Sequence, residues 1–362
     1  MRILHVETGR HLYGGAAQVL YLLEGLARHG DSESHLACPR DSAIAAAARE
    51  AGIPVHDTGR GGDLAPGMAL RLRRLLGRLR PDLVHVHSRR GADLWGGLAA
   101  RWAGVPAVLS RRVDNPEPRW WVARKYPLYA RTIAISAGIR EVLLAEGVPA
   151  ERVVTVPSAV DARRYALPCD PAWFRGELGL PDGGPVLGVV AQLIERKGHT
   201  YLLQALPVLR ERFPDLRVVL FGQGPLRAAL EDEARRRGVA EAVRFAGFRE
   251  DLARMLPCLD LVVHPALREG LGVSLLQAAA AGVPIVAARA GGIPEAVRDG
   301  ENGRLVAPGN APALAAAVGD LLADPGAAAR MGRAGRELVR REFDIEAMVA
   351  GNRRVYREVL GR

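Results

Sequence analysis

Short apolar runs alternate along the chain with longer amphipathic stretches. RILHVE is a run of the kind a buried strand makes. GGAAQVLYLLEGLARHG, which follows it, places Val19, Leu22, Leu23 and Leu26 on one helical stripe, with Gly30 as its stop. SHLACP reads as the next strand, and DSAIAAAAREAG as a helix opened by Asp41 or Ser42 and closed by Gly52. LVHVHS, AVLSRR and TIAIS continue as strands with helices between them. Such alternation builds a parallel sheet covered by helices on both faces, a doubly wound α/β fold.

The rhythm fails after RVVTVPSAVD. ARRYALPCDPAWFRGELGLPDGGP carries Pro168, Pro171, Pro181, Gly183, Gly184 and Pro185 and reads as punctuation, which places a hinge between domains near residues 160–184. Alternation then resumes. VLGVVAQ is a strand, LIERKG a loop, HTYLLQALPVLRERFP a helix, LRVVLFG a strand and GPLRAALEDEARRRG a helix; VRFAG, LVVHPA and PIVAA are further strands. Both halves open on a strand, a polar glycine-bearing loop and a helix, a repeat of architecture and not of sequence. The closing DIEAMVAGNRRVYREVLGR is helical and amphipathic. A chain of 362 residues is long for one core. The expected division is a domain over 1–165, a second over 166–345 and a terminal helix over 346–362. Two doubly wound domains facing each other make a cleft, and ligands of such sheets bind beyond the carboxyl ends of the strands. Chemistry is therefore sought on the loops that follow strands.

Composition changes this picture little. The hydrophobic fraction of 49% and charged fraction of 25% are ordinary for a globular chain. A net charge of +10 favours anionic partners such as nucleotides, acidic glycans or a membrane surface. Zinc-finger spacing and an aromatic-studded basic sheet are both missing, so no nucleic-acid partner is expected. Of the 50 basic residues only Lys125 and Lys197 are lysines. Cys38, Cys169 and Cys258 form no CxxC and no disulfide framework, which leads to the expectation of a reduced, cytosolic protein. MRILHVETGR reads as a strand followed by charge and not as a signal peptide. The uncharged run from Gly270 to Ala288 is broken by Gly282 and Pro284, so it is not read as a membrane span.

LREGLGVSLLQAAAAGVPIVAA raises the sharpest question. LDLVVHPAL brings the chain to a strand's carboxyl end; Glu269, Gly270, Leu271 and Gly272 make a tight loop, and a helix begins near Val273. Glycines let a ligand approach the backbone, and the helix start is a seat for phosphate. An acid there repels phosphate but suits the hydroxyls of a sugar. Equally, Glu269 fits as an N-terminal acid favoured by the helix dipole.

The stretch resembles the signature of the large retaining GT-B glycosyltransferase family that includes bacterial mannosyl- and heptosyltransferases, often called family 4. Glu269, GLG, AAAAGVPIVAA and then GGIPEAV match in order. The resemblance implies two facing Rossmann-like domains, with the C-terminal helix returning to the first. It implies that Glu269 holds donor-sugar hydroxyls and that the amides of Gly270, Leu271 and Gly272 contact the sugar. Where the family has a second Glu gripping the ribose, eight positions after the first, this chain has Gln277. Gln keeps an acceptor oxygen and loses the charge. In VAQLIERKG, Lys197 matches the family's diphosphate-binding lysine, and Gln192 stands where Arg is usual. GRHLYGGAAQVL is similar to the family's glycine turn, and Gly14 and Gly15 are assigned to the donor phosphate and acceptor. In LVHVHS the second histidine, His87, is carried over as a contact to the donor sugar. His85 is read as structural: the pair share a face, but no third metal ligand is near and no DxD occurs.

The resemblance covers nearly the whole chain, most strongly 186–306. It implies a metal-independent transfer, without cofactor, from a nucleotide-sugar donor to a glycan or glycolipid acceptor of the lipopolysaccharide or exopolysaccharide kind. The candidate catalytic groups are Glu269, Lys197 and His87. The basic helix in MALRLRRLLGRLRPD reads as a domain helix with its Leu stripe inward. An acceptor role for Arg111, Arg112, Trp120 and Trp121 stays open, as does contact with an anionic membrane. An epimerase of the same fold and a non-catalytic nucleotide-sugar binder are the alternatives.

Overall fold

The structure, a computed structural model, describes residues 1–12, 14–59, 67–87 and 91–362. Contacts divide the chain into two units, one of Met1–Ala159 with Ile345–Arg362, the other Val160–Asp344. The line falls before residue 160 instead of after 165. The reason is local: Val160 forms a parallel bridge with Asp344 and its N–H donates to the Phe343 carbonyl at 2.9 Å, tying both ends of the second unit together.

The first unit carries a seven-stranded sheet of β1 (Arg2–Val6), β2 (Glu33–Cys38), β3 (Val55–Asp57), β4 (Leu83–Val86), β5 (Ala107–Arg111), β6 (Arg131–Ala134) and β7 (Val153–Thr155). The order is β3-β2-β1-β4-β5-β6-β7 and every pairing is parallel. β4 is buried along its whole length, as expected of a central strand covered on both faces. Register sets His5 of β1 beside His85 of β4. The helix Gly14–His29 buries Val19, Leu22, Leu23 and Leu26, the stripe its spacing predicts. Of the two capping candidates, Ser42 opens the helix Ala43–Glu50, its side chain accepting from the Ala45 N–H. Helix Gly67–Leu79 buries Met68, Leu72, Leu75 and Leu76, so its Leu stripe belongs to the core. The last helix, Ile345–Leu360, places Met348, Val349, Val355 and Tyr356 in a cluster with Ile3, Leu22, Leu26, Leu83 and Val108. The amide of Gln18 donates to the Ala159 carbonyl and accepts from its N–H, both at 2.7 Å, fixing the exit from the sheet.

The second unit carries β8 (Val186–Val190), β9 (Arg217–Phe221), β10 (Val243–Gly247), β11 (Leu261–His264), β12 (Ile285–Ala288) and β13 (Gly303–Val306), in the order β10-β9-β8-β11-β12-β13 and all parallel. In each sheet the chain winds outward from a central pair, β1 and β4 in one and β8 and β11 in the other. That is the switch point at which such sheets receive ligands.

The segment read as punctuation is structured. Asp170 caps the helix Pro171–Leu178 by accepting from the Trp173 N–H, and Phe174 and Leu178 are buried. Proline at the first helical turn removes an N–H that lacks an intrahelical partner in any case, so Pro171 starts the helix instead of breaking it. A disulfide joins Cys169 to Cys258 across 89 residues. The expectation of three unpaired cysteines is therefore corrected: distance along the chain does not prevent contact when residues 166–170 run beside the turn that precedes β11. Cys38 alone is free, and it is buried. No helix among the described residues is long and apolar enough to cross a membrane.

Candidate active site

Two loops of the second unit leave the switch point side by side. After β8 the chain forms a tight turn, Glu195–Lys197, and enters the helix His199–Arg212 through Gly198. After β11 it runs through Pro265 and Glu269 to the helix Val273–Ala280. The Leu267 N–H donates to the Arg196 carbonyl at 2.8 Å, stitching the loops together. Gly198 makes the approach feasible: its φ is +67°, and a Cβ there would meet the Pro265 carbonyl oxygen at 2.0 Å. Gly272, at φ +85°, lets the second loop turn into its helix, where a Cβ would meet Leu275 at 2.9 Å.

This stitching brings Lys197 and Glu269 into an ion pair through Glu269 Oε2. His264, the last residue of β11, bonds the same oxygen through Nε2 at 3.0 Å. The Gly270 N–H donates to the other oxygen at 3.1 Å, and the Glu269 carbonyl accepts from the Gly292 N–H at 3.0 Å. The GGIPEAV turn thus braces the backbone of Glu269. His264 was not anticipated from the sequence; a polar residue in an otherwise apolar strand, five positions before the acid, was the available signal.

Burial of Glu269 alone raises a carboxyl pKa. The His264 hydrogen bond and the Lys197 charge outweigh it and hold the acid well below its ordinary range. Burial pushes His264 down, against the pull of Glu269, so the imidazole is neutral. An ionised carboxylate only accepts, so His264 carries its proton on Nε2. Nearby His199 is pushed down to about 4, chiefly by burial and also by the Lys197 charge. Glu269 is therefore a fixed anion with three donors in place. A carboxylate has about four lone-pair sites, so roughly one is left for a hydroxyl.

The other anticipated residues lie around this core in different ways. Gly270, Leu271 and Gly272 are buried in the turn itself. Gln277 is half-buried on the helix Val273–Ala280, and Gln192 is exposed on the loop after β8. Neither side chain hydrogen-bonds another described residue.

In the first unit Gly14 and Gly15 open the helix Gly14–His29, and Arg112 lies beside Gly15. Arg112 is pushed down to about 10 by burial, against the charge of Glu7. His87 follows β4 and is 2% exposed. The sequence left it without a third imidazole, but His5 supplies one: His5 Nδ1 and His87 Nε2 are 2.9 Å apart. His5, His85 and His87 each present a ring nitrogen within 4.8 Å of the others. His85 engages both nitrogens, with Tyr356 Oη at 2.6 Å and Ser110 Oγ at 2.8 Å. Four of the six ring nitrogens are already hydrogen-bonded, two of them between His5 and His87 and two from His85 to Tyr356 and Ser110, and a metal ion has to displace such bonds. Burial pushes His5 down to about 3 and His85 and His87 well below their usual value, so all three are neutral.

Arg111 is 2% exposed and belongs to a buried network. Its guanidinium pairs with Glu117 at 3.2 Å, and Lys125 pairs with Asp93 at 3.0 Å and bonds Glu117 at 2.6 Å. Arg111 thus holds the loop after β5 in place. Trp120 is 62% exposed on the helix Arg119–Lys125, with Arg124 over its ring.

Residues 13–164 match the family model Glycosyltransferase Family 4, and residues 173–338 match Glycosyl transferases group 1. A GDP-mannose-dependent alpha-(1-6)-phosphatidylinositol monomannoside mannosyltransferase of Mycolicibacterium smegmatis is 34% identical over 75% of each chain. The protein belongs to the GT-B glycosyltransferases of the family 4 type. A 2-deoxystreptamine glucosyltransferase of Streptomyces kanamyceticus is 32% identical over 81% of each chain. The crystal structure of Anabaena HepE in complex with UDP shares the fold, with a TM-score of 0.87 at 22% identity over 99% of this chain and 100% of that one. Within this glycosyltransferase, Lys197 and Glu269 are a contacting pair, and His87 is a buried strand-end residue of the other unit.

Proposed function

We propose that this glycosyltransferase retains anomeric configuration, needs no metal and moves a hexosyl or heptosyl group from a nucleotide-sugar to a hydroxyl of a cell-envelope glycan or glycolipid. The observation that carries the reading is the Lys197–Glu269–His264 constellation at the β8/β11 switch point. Lys197 is a compact cation with three donors, of which one faces Glu269, so it can also meet a diphosphate. Glu269, fixed as an anion, takes a sugar hydroxyl. In the reaction the bond from the anomeric carbon to the diphosphate oxygen breaks as a bond to the acceptor oxygen forms on the same face. The acceptor's proton passes to the leaving phosphate oxygen. Negative charge grows on the diphosphate, where Lys197 and the amides at the start of the helix Val273–Ala280 stabilise it. His87 contributes a contact to a sugar hydroxyl, and Gln277 and Gln192 take polar places around the nucleotide. The mannosyl- and glucosyltransferase relatives support the donor class.

A working place at the inner face of the plasma membrane is part of the proposal. The exposed Trp120 beside basic side chains, on a chain of net charge +10, suits an anionic lipid surface.

The test is product stereochemistry. Incubation with UDP-glucose or GDP-mannose and lipid-linked acceptors, with NMR of the new linkage, is expected to give an α-linked product from the α-linked donor, at a rate a chelator leaves unchanged. A β-linked product, strong inhibition by the chelator, or turnover of the donor to an isomeric sugar-nucleotide without transfer contradicts it.

A further inference from the structure

The first unit contains a pair of imidazoles whose protons depend on each other. His5 and His87 are joined by one ring-to-ring hydrogen bond of 2.9 Å, and their planes differ by 8° with centroids 5.2 Å apart. The rings therefore meet edge to edge and nearly coplanar, the best geometry for an N–H···N bond. The backbone holds this arrangement: β1 pairs with β4, and the His87 N–H donates to the Val6 carbonyl at 2.9 Å. Each neutral imidazole carries one proton, so one ring must donate and the other accept. Two arrangements exist. If His5 donates from Nδ1, His87 carries its own proton on Nδ1. If His87 donates from Nε2, its Nδ1 is bare and His5 carries its proton on Nε2. The two outer nitrogens, His5 Nε2 and His87 Nδ1, are buried and have no hydrogen-bond partner.

The choice between them follows from where an unpaired N–H costs least. A buried donor left without an acceptor loses its whole solvation. His5 is 0% exposed, one residue inside the end of β1, with β2 and β4 on either side. His87 comes directly after the last residue of β4, at the carboxyl edge where a doubly wound sheet receives its ligand. Only the second position can gain an acceptor when ligand arrives. His85 is not available to that ligand, since Tyr356 and Ser110 take both of its nitrogens.

We propose that His5 is a positioning residue that donates from Nδ1 to His87, fixes His87 as the Nδ1–H tautomer, and so makes it a hydrogen-bond donor to a hydroxyl oxygen of the donor sugar. The tautomer part stands on this geometry; the identity of the sugar oxygen rests on the functional reading of His87 above.

The experiment uses the full chain with 15N-labelled histidine, the His87 signal being assigned by its loss in His87→Asn. Long-range proton–nitrogen correlations are expected to place the wild-type His87 proton on Nδ1. His5→Leu removes the donor and is expected to shift His87 toward the Nε2–H form. His5→Asn places an amide N–H near the lost Nδ1 and is expected to keep the wild-type pattern. In transfer assays His5→Leu raises the KM for nucleotide-sugar about tenfold, the worth of one hydrogen bond, while UDP and GDP, which lack the sugar, bind both variants as they bind wild type. His5→Asn stays near wild type. A wild-type Nε2–H signal overturns the proposal, as does an unchanged tautomer in His5→Leu or an equal KM rise in His5→Leu and His5→Asn. If His87→Asn leaves the KM unchanged, the sugar contact falls, and the tautomer measurement still decides the role of His5.

Discussion

The two units place polar groups at the same topological position and equip it in opposite ways. In the second unit the strand ends carry full charges, Lys197 and Glu269, with His264 as a neutral brace. In the first, the strand pair carries three uncharged imidazoles, His5 bonded to His87, and His85 bonded to Tyr356 and Ser110. A charged site can stabilise charge that develops during a reaction. A neutral one can only orient, through hydrogen bonds whose direction depends on tautomers. Under the proposed function the second unit supplies the charged groups, Lys197 for the diphosphate and Glu269 for the sugar, and the first adds a neutral hydrogen bond from His87.

The largest effect expected from breaking this division is on Lys197 or Glu269. Replacing either by Ala is expected to lower kcat/KM about 10²–10³-fold, the usual worth of a preorganised charge contact, with the circular dichroism spectrum unchanged and the unfolding midpoint lowered, because the remaining charge loses its partner. Loss of less than threefold places the charge chemistry elsewhere.

Next in size is acid sensitivity. His5 is held neutral down to about 3, whereas its ordinary value is 6.5. Between those values the unfolded chain binds more protons than the folded one, so the stability present above that window is lost progressively as pH is lowered through it. His85 and His87 act with the same sign, as do His199 and His264 in the second unit. Each contributes at most roughly 1.4 kcal/mol per pH unit. Glu269 adds nothing until pH falls below its ordinary value of 4.5. Chemical denaturation at pH 7 and pH 5 is expected to show a loss of a few kcal/mol, and equal stability at the two values contradicts the neutral imidazoles.

His264→Leu sharpens the comparison at the charged site. It removes one donor to Glu269 and leaves the ion pair, so a loss of about tenfold in kcat/KM is expected. A loss as large as that of Glu269→Ala means that His264 does more than brace. The smallest effect is at Gln277: restoring the family's acid with Gln277→Glu is expected to tighten nucleoside binding about three- to tenfold, the gain from a charge-assisted hydrogen bond. Unchanged affinity removes Gln277 from the ribose site.

The sequence was most legible where burial is continuous. The strands of the switch points and the helix Gly14–His29 follow from their apolar runs, and the family resemblance singled out Glu269 and Lys197, which the structure brings into contact. β3 and β13, of three and four residues at sheet edges, were missed because so short a stretch shows no periodicity. The helix Pro171–Leu178 was missed because Pro171 reads as a breaker when its position relative to Asp170 is unknown. The Cys169–Cys258 bond and the partnership of His5 with His87 join residues far apart in the chain, and local spacing carries no trace of either. For Arg111 an acceptor role was left open from the sequence; in the structure its guanidinium is buried and compensated by Glu117.

The central claim is that Lys197 and Glu269, although paired, serve different parts of one substrate. Calorimetric titration of UDP and GDP into wild type, Lys197→Ala and Glu269→Ala tests it most directly, because these ligands carry the diphosphate without the sugar. The account predicts that Lys197→Ala weakens binding at least tenfold, the scale of a lost charge-assisted contact, while Glu269→Ala, which frees the lysine, binds as tightly as wild type or more so. Equal weakening in both variants contradicts it.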